Sequence, residues 1–183
     1  MQTPLRHVLT RFARDTRGSV SVEFVLIMPF LFWAFMATYV FFDGYRQSSV
    51  NLKAAYTISD LISRETAGVD EDYISSMYQL LRVMTRTDSG LRMRISVLRF
   101  DEEDDRFYVD WSAVRGFTEE LTNATVADMK AKLPVMPDEE RVILVQTEND
   151  FEPIFDVGIN TVPLENFVFS RPRFAPQVAW SGS

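Results

Sequence analysis

The sequence predicts an α+β protein. A long N-terminal hydrophobic, transmembrane helix continues into a domain in which helices pack on a small, mainly antiparallel sheet. Three observations predict it. Residues 24–42 are an uncharged apolar run, residues 45–84 repeat apolar side chains at helical spacing, and from Leu91 the period changes to two. The expected organisation is a basic leader over 1–18, the transmembrane helix with its amphipathic extension over 19–66, and an α+β domain over 67–183.

The leader carries Arg6, Arg11, Arg14 and Arg17 against Asp15, a net charge of +3, whereas the rest of the chain is acidic enough to bring the total to −7. That balance argues against wholesale nucleic-acid binding. The chain has no cysteine and a single histidine, His7. Thiolate metal sites, disulfide frameworks and cysteine nucleophiles are therefore excluded, and beyond residue 7 so is any Ser-His-Asp arrangement.

The run from Phe24 to Phe42 reads FVLIMPFLFWAFMATYVFF, with Thr38 its one clearly polar side chain. Nineteen residues at about 1.5 Å each come close to a bilayer core of roughly 30 Å. A secretory signal has a shorter apolar region, of about 7–15 residues, and a small-x-small cleavage site. Here Asp43-Gly44-Tyr45-Arg46 follows instead. A single membrane anchor is the expectation. The arginines before it place the N-terminus in the cytoplasm and residues 43–183 outside. Pro29 falls inside the run, where a membrane helix tolerates it.

Past the membrane, Val50, Ala54, Ile58, Leu61 and Ile62 mark one helical stripe, and Gly68 is the expected stop. A second helix is expected to open at Asp70-Glu71-Asp72, whose charges suit a helix N-terminus. Tyr73, Ile74, Met77, Tyr78, Leu80, Leu81 and Met84 form its apolar side, and Asp88-Ser89-Gly90 is a turn signal. Leu91, Met93, Ile95 and Val97 then alternate with Arg92, Arg94 and Ser96, as in a strand with one wet face. Phe107, Val109 and Trp111 alternate with Tyr108 and Asp110, which makes a hairpin with the acidic tip Asp101–Asp105. That tip lacks the glycine and spacing of a calcium loop, and it is expected to face water. Thr125–Asp128 reads as a capping box opening a short helix to about Leu133, ended by Pro134 and Pro137. Arg141–Thr147 is expected to be a central strand, and Asn166–Arg171 a final one.

Glu23 stands at the lip of the apolar run, five residues after Gly18. A carboxylate there is costly and marks function by default. A basic leader ending in glycine, glutamate at the fifth following position and a long apolar helix resemble the type III signal of prepilins. The resemblance implies cleavage by prepilin peptidase between Gly18 and Ser19. It also implies that Glu23, at mature position five, sets register by pairing with the N-terminal amine of a neighbouring subunit.

With Phe24 and Pro29, the segment Gly18–Glu23 looks like TadE-like pseudopilins of the Tad (Flp) type IV pilus system, although Ser19-Val20-Ser21-Val22 stands where many members carry alanines. Arg141–Glu148, Glu152-Pro153-Ile154-Phe155 and Arg171-Pro172-Arg173-Phe174 resemble the family more loosely. The family implies a minor pilin of the bacterial inner membrane, single-pass, with its C-terminal domain in the periplasm. Its partners would be prepilin peptidase, other pilins or Tad components and membrane lipid. Incorporation into the filament, and the TadE or TadG subgroup, stay open. The alternative is an uncleaved membrane-anchored binding or sensing domain. No nucleotide loop, serine elbow or zinc motif occurs, so no enzyme, cofactor or metal is expected. Asp110, Glu119 and Glu120 are the only carboxylates singled out for an enzyme reading.

Overall fold

The computed structural model describes residues 19–87 and 90–182. The fold is α+β. Helix α1 spans Ser19–Ser63 and helix α2 Glu71–Thr85. The strands are β1 (Arg92–Asp101), β2 (Arg106–Arg115), β3 (Arg141–Phe151) and β4 (Val162–Ser170), with the short helix α3 (Asn123–Asp128) and a 3-10 turn (Lys130–Lys132) between β2 and β3. The four strands form one antiparallel sheet in the order β2-β1-β3-β4. The described residues divide into two compact units. One holds the chain up to Asp43 together with Pro153–Ile159; the other holds Gly44–Glu152 and the residues from Asn160 onward.

Helix α1 is continuous for 45 residues, roughly 68 Å, and runs through Pro29. In the second unit its buried stripe is Asn51, Ala54, Ala55, Ile58, Ser59, Ile62 and Ser63. The expected stripe needs correction at two positions. Leu61 is exposed and Val50 is only half-buried. Polar residues occupy the buried face because each finds a partner there: Asn51 Nδ2 donates to Asn149 Oδ1 at 2.5 Å, and the Ser59 and Ser170 hydroxyls lie 2.7 Å apart. A pattern drawn from apolar residues alone passes over them. The helix also ends five residues before Gly68, where the Ser63 carbonyl accepts the Arg173 N–H at 2.7 Å.

Helix α2 starts as expected. Asp70 is its N-cap, accepting the Tyr73 N–H at 2.8 Å, and Ile74, Leu81 and Thr85 are buried along it. The turn at 88–90 falls partly outside the described residues; Gly90, which is described, has φ +62°.

One sheet face, with Met93, Ile95, Val97, Ala113, Ile143 and Val145, packs against Ala54, Ile58 and Ile62 of α1 and Ile74 and Leu81 of α2. The other face is not simply wet. Leu98, Phe107, Val142 and Leu144 are covered by Leu121, Val126, Leu133 and Met136, and Ser96 is fully buried. A bulge divides β2 between the two faces. Val97 pairs with Trp111 and Leu98 with Val109, which leaves Asp110 as the extra residue. Phe107 and Val109 therefore join the second core, while Trp111 and Ala113 join the first.

Other boundaries also move, and β3 runs four residues past its expected end at Thr147, to Phe151. The capping box is Thr122 with Thr125, so Thr125 is its third helical residue and not its opening cap. Strand β4 begins at Val162, four residues before the expected start, because pairing with Phe151 and Asp150 carries it through Pro163.

Candidate functional site

The first half of α1 is the most unusual surface of the chain. Phe24, Leu26, Phe30, Phe35, Phe41 and Phe42 are all exposed, Phe30 at 69% and Phe42 at 72%. Each such side chain gains roughly 1.5–3 kcal/mol when removed from water. A helix apolar all round belongs in a protein core or a membrane, and almost none of this one is buried. It is long and apolar enough to cross a bilayer. The Thr38 hydroxyl is satisfied locally, since Oγ1 donates to the Ala34 carbonyl at 2.8 Å. Around Ala34 the helix surface forms an open, almost wholly apolar groove of about 550 Å³ lined by Met28, Leu31, Phe32, Phe35 and Thr38. The small residue lets another chain or an acyl tail approach the backbone.

Glu23 lies on α1 one turn after Ser19, at the edge of this apolar region. Gly18, and with it the leader, lies outside the described residues.

The carboxylates considered for chemistry are engaged elsewhere or stand at the surface. Asp110, at the bulge, receives Arg141 Nε at 2.8 Å. The backbone carbonyl of Glu119 accepts from Arg94 at 3.3 Å, and Glu120 is exposed. At the acidic hairpin tip, Asp105 pairs with Lys130 at 2.5 Å and Asp104 accepts the Tyr108 hydroxyl. That hydrogen bond, followed by burial and the Asp104 charge, holds the Tyr108 phenol above its ordinary value. Among the described residues no group of three His, Cys, Asp or Glu side chains is arranged to hold a metal.

Sequence reasoning missed a second concavity, of about 330 Å³, beside the covered part of the sheet. Arg94 and Lys132 line it together with Glu148 and Glu165. Arg94 Nε donates to Gln146 at 2.8 Å, and its guanidinium sits 5.1 Å from the Phe117 ring centroid. Burial pulls this guanidinium below its ordinary value. Alternation marked Arg94 only as a wet-face residue; its stacking on Phe117 left no local sequence signal.

No family model matches the chain, and no curated protein or solved structure matches it.

Proposed function

We propose that the chain is a TadE-like minor pilin, or pseudopilin, of a Tad (Flp) type IV pilus assembly system. It would act by structural interaction and carry out no chemistry of its own. One observation carries the reading: a single uninterrupted helix is apolar on all sides in its first half and amphipathic in its second, where it packs on an antiparallel sheet. A membrane-held subunit that assembles through its N-terminal helix needs both properties in one element. The glycine-ended basic leader and Glu23 supply the rest of the argument.

In this reading the leader stays in the cytoplasm and the acidic domain lies in the periplasm. Prepilin peptidase cuts between Gly18 and Ser19. The new α-amino group and Glu23 then form opposite charges that become tolerable in a low-dielectric setting when paired, here across neighbouring subunits. The Ala34 groove is the face on which a second pilin helix packs.

The test is the mature N-terminus, measured by intact mass in cells with and without the peptidase. A peptidase-dependent start at Ser19 is the expected result. Gly18→Trp should abolish processing, and Glu23→Ala should impair assembly while leaving membrane insertion intact. A chain that keeps Met1 in both cells, or normal piliation with both variants, removes the pilin reading. It leaves an uncleaved anchor carrying a binding domain.

A further inference from the structure

Ile154 and Phe155 are exposed apolar residues that neither core uses, and they group with the helix that is long and apolar enough to cross a membrane. They belong to Pro153–Ile159, which forms one compact unit with the chain up to Asp43. The Phe155 ring meets Tyr39 edge-on, with centroids 6.0 Å apart and planes at 66°. Tyr39 lies inside the uncharged run, four residues before Asp43. Four helical residues are about 6 Å along the axis. The contact therefore sets the segment at the level of the last turn of the apolar run.

That level matches the interfacial layer of a bilayer, where apolar faces bury about 5–10 Å into the headgroup and acyl boundary. Its aromatic character matches as well. Tyr39, Phe41 and Phe42 are exposed on the same turn of α1, as in the belts of aromatic side chains found at membrane surfaces. The segment itself presents Ile154 at 66% exposure and Phe155 at 38%, with Val157 and Ile159 half-buried. Its one charge, Asp156, is exposed and accepts the Gly158 N–H at 3.3 Å within the loop. Gly158, at φ +91°, supplies the left-handed residue the turn needs. A connection facing only water is ordinarily built from polar turn residues; this one offers apolar side chains where the apolar helix ends.

We propose that Pro153–Ile159 is a second membrane contact, which inserts Ile154 and Phe155 into the lipid interface of the leaflet from which Asp43 emerges. The proposal rests on the membrane-spanning reading of α1. A lone spanning helix is free to rotate about its axis, and its orientation is set by packing and interfacial anchors. A loop anchor on one side of α1 fixes which helix face turns to lipid and which stays available to a neighbour.

The chain contains no cysteine, so single labelling sites can be introduced without background. The full-length protein would be reconstituted in vesicles of phosphatidylethanolamine and phosphatidylglycerol. Nitroxide labels would be placed separately at Ile154→Cys, Leu31→Cys and Val135→Cys. Leu31 reports the span, and Val135, 98% exposed, reports water. Collision with oxygen, which favours lipid, is compared with collision with a water-soluble nickel chelate.

The expected result places the label at 154 between the two references, with more oxygen and less nickel collision than at 135. A label at 154 as open to nickel as that at 135 overturns the proposal. So does a label shielded from both reagents, which would mean that the loop is covered by protein, such as a second copy of the chain. In either case oxygen-rich collision at 31 keeps the spanning reading intact, whereas nickel access at 31 overturns that reading itself.

Discussion

At the scale of single residues, the most consequential buried group is the Asn51–Asn149 pair. The two amides are 1% and 2% exposed and share one hydrogen bond, while Asn51 Oδ1 and Asn149 Nδ2 find no partner among the described residues. Truncating one side leaves the other amide buried and unpaired, at a cost of about 1–3 kcal/mol. Asn149→Ala should destabilise the fold by that amount in a denaturant titration. Asn51→Ala with Asn149→Ala should cost less than the two single changes added, because the second truncation removes a group already orphaned.

Tyrosine ionisation gives a pH signature at the same scale. Tyr73, through burial and then the Glu65 charge, and Tyr108, through its bond to Asp104, are both held above the ordinary 10.0. The folded state thus favours the neutral phenol. The stabilisation is whole below 10.0 and is lost as pH rises through the folded values. An ultraviolet titration should show a late phenolate component that shrinks in Tyr108→Phe. None of these pairings was legible in the sequence. Asn51 and Asn149 are 98 positions apart, and nothing local distinguishes a buried amide with a distant partner from a solvated one.

At the scale of elements, the sequence was most legible where one physical rule acted alone. The uncharged run announced the helix that holds it, and Asp70 announced the start of α2 because a cap is a local hydrogen bond. Legibility failed where tertiary contacts intervened. Strict alternation in β2 hid the bulge at Asp110, since Phe107, Val109 and Trp111 keep period two in sequence while serving two different cores. The second sheet face looked wet because Arg92, Arg94 and Ser96 alternate with the apolar residues of β1, and the Leu121, Val126, Leu133 and Met136 that cover that face lie outside the strands, where alternation says nothing of them.

The first helix of that cover is only six residues long and depends on its reciprocal Thr122–Thr125 cap. Thr122→Ala should cost about 1 kcal/mol. The loss should show first as faster amide exchange at Val126 and Leu133, before any global unfolding. The turn after β2 is equally specific. Gly116 sits at φ +82°, and a Cβ there would meet the Leu91 carbonyl oxygen at 2.8 Å. No other residue type fits without displacing the backbone.

For the molecule as a whole, residues 171–182 close the unit that contains the sheet. Arg173 caps α1 at Ser63, and Val178 is buried in the first core. Its carbonyl accepts Trp111 Nε1 at 2.7 Å, and the Trp180 ring lies tilted against Trp111 with centroids 5.2 Å apart. The backbone around Trp180 bridges to Val69, each way at 2.8 Å. The segment thus joins the end of α1 and the nearby start of α2 to the outer strand β2. Nothing local in the sequence announces these contacts, since Arg171-Pro172-Arg173-Phe174 stands out there only as a loose family resemblance.

Removing residues 174–183 would take the buried Val178 out of the first core, a loss of roughly 1.5–3 kcal/mol, and break the hydrogen bonds to Trp111 and Val69, worth about 0.5–1.5 kcal/mol each. The truncated protein should unfold at clearly lower denaturant. The apolar first half of α1, long enough to cross a membrane, makes none of these contacts, so on the proposed reading membrane insertion should be unchanged. Fractionation and unfolding of the same variant measure both. Loss of insertion together with stability would mean that the anchor and the folded domain are not energetically separate, and Glu23→Ala could then no longer be read as a change in assembly alone.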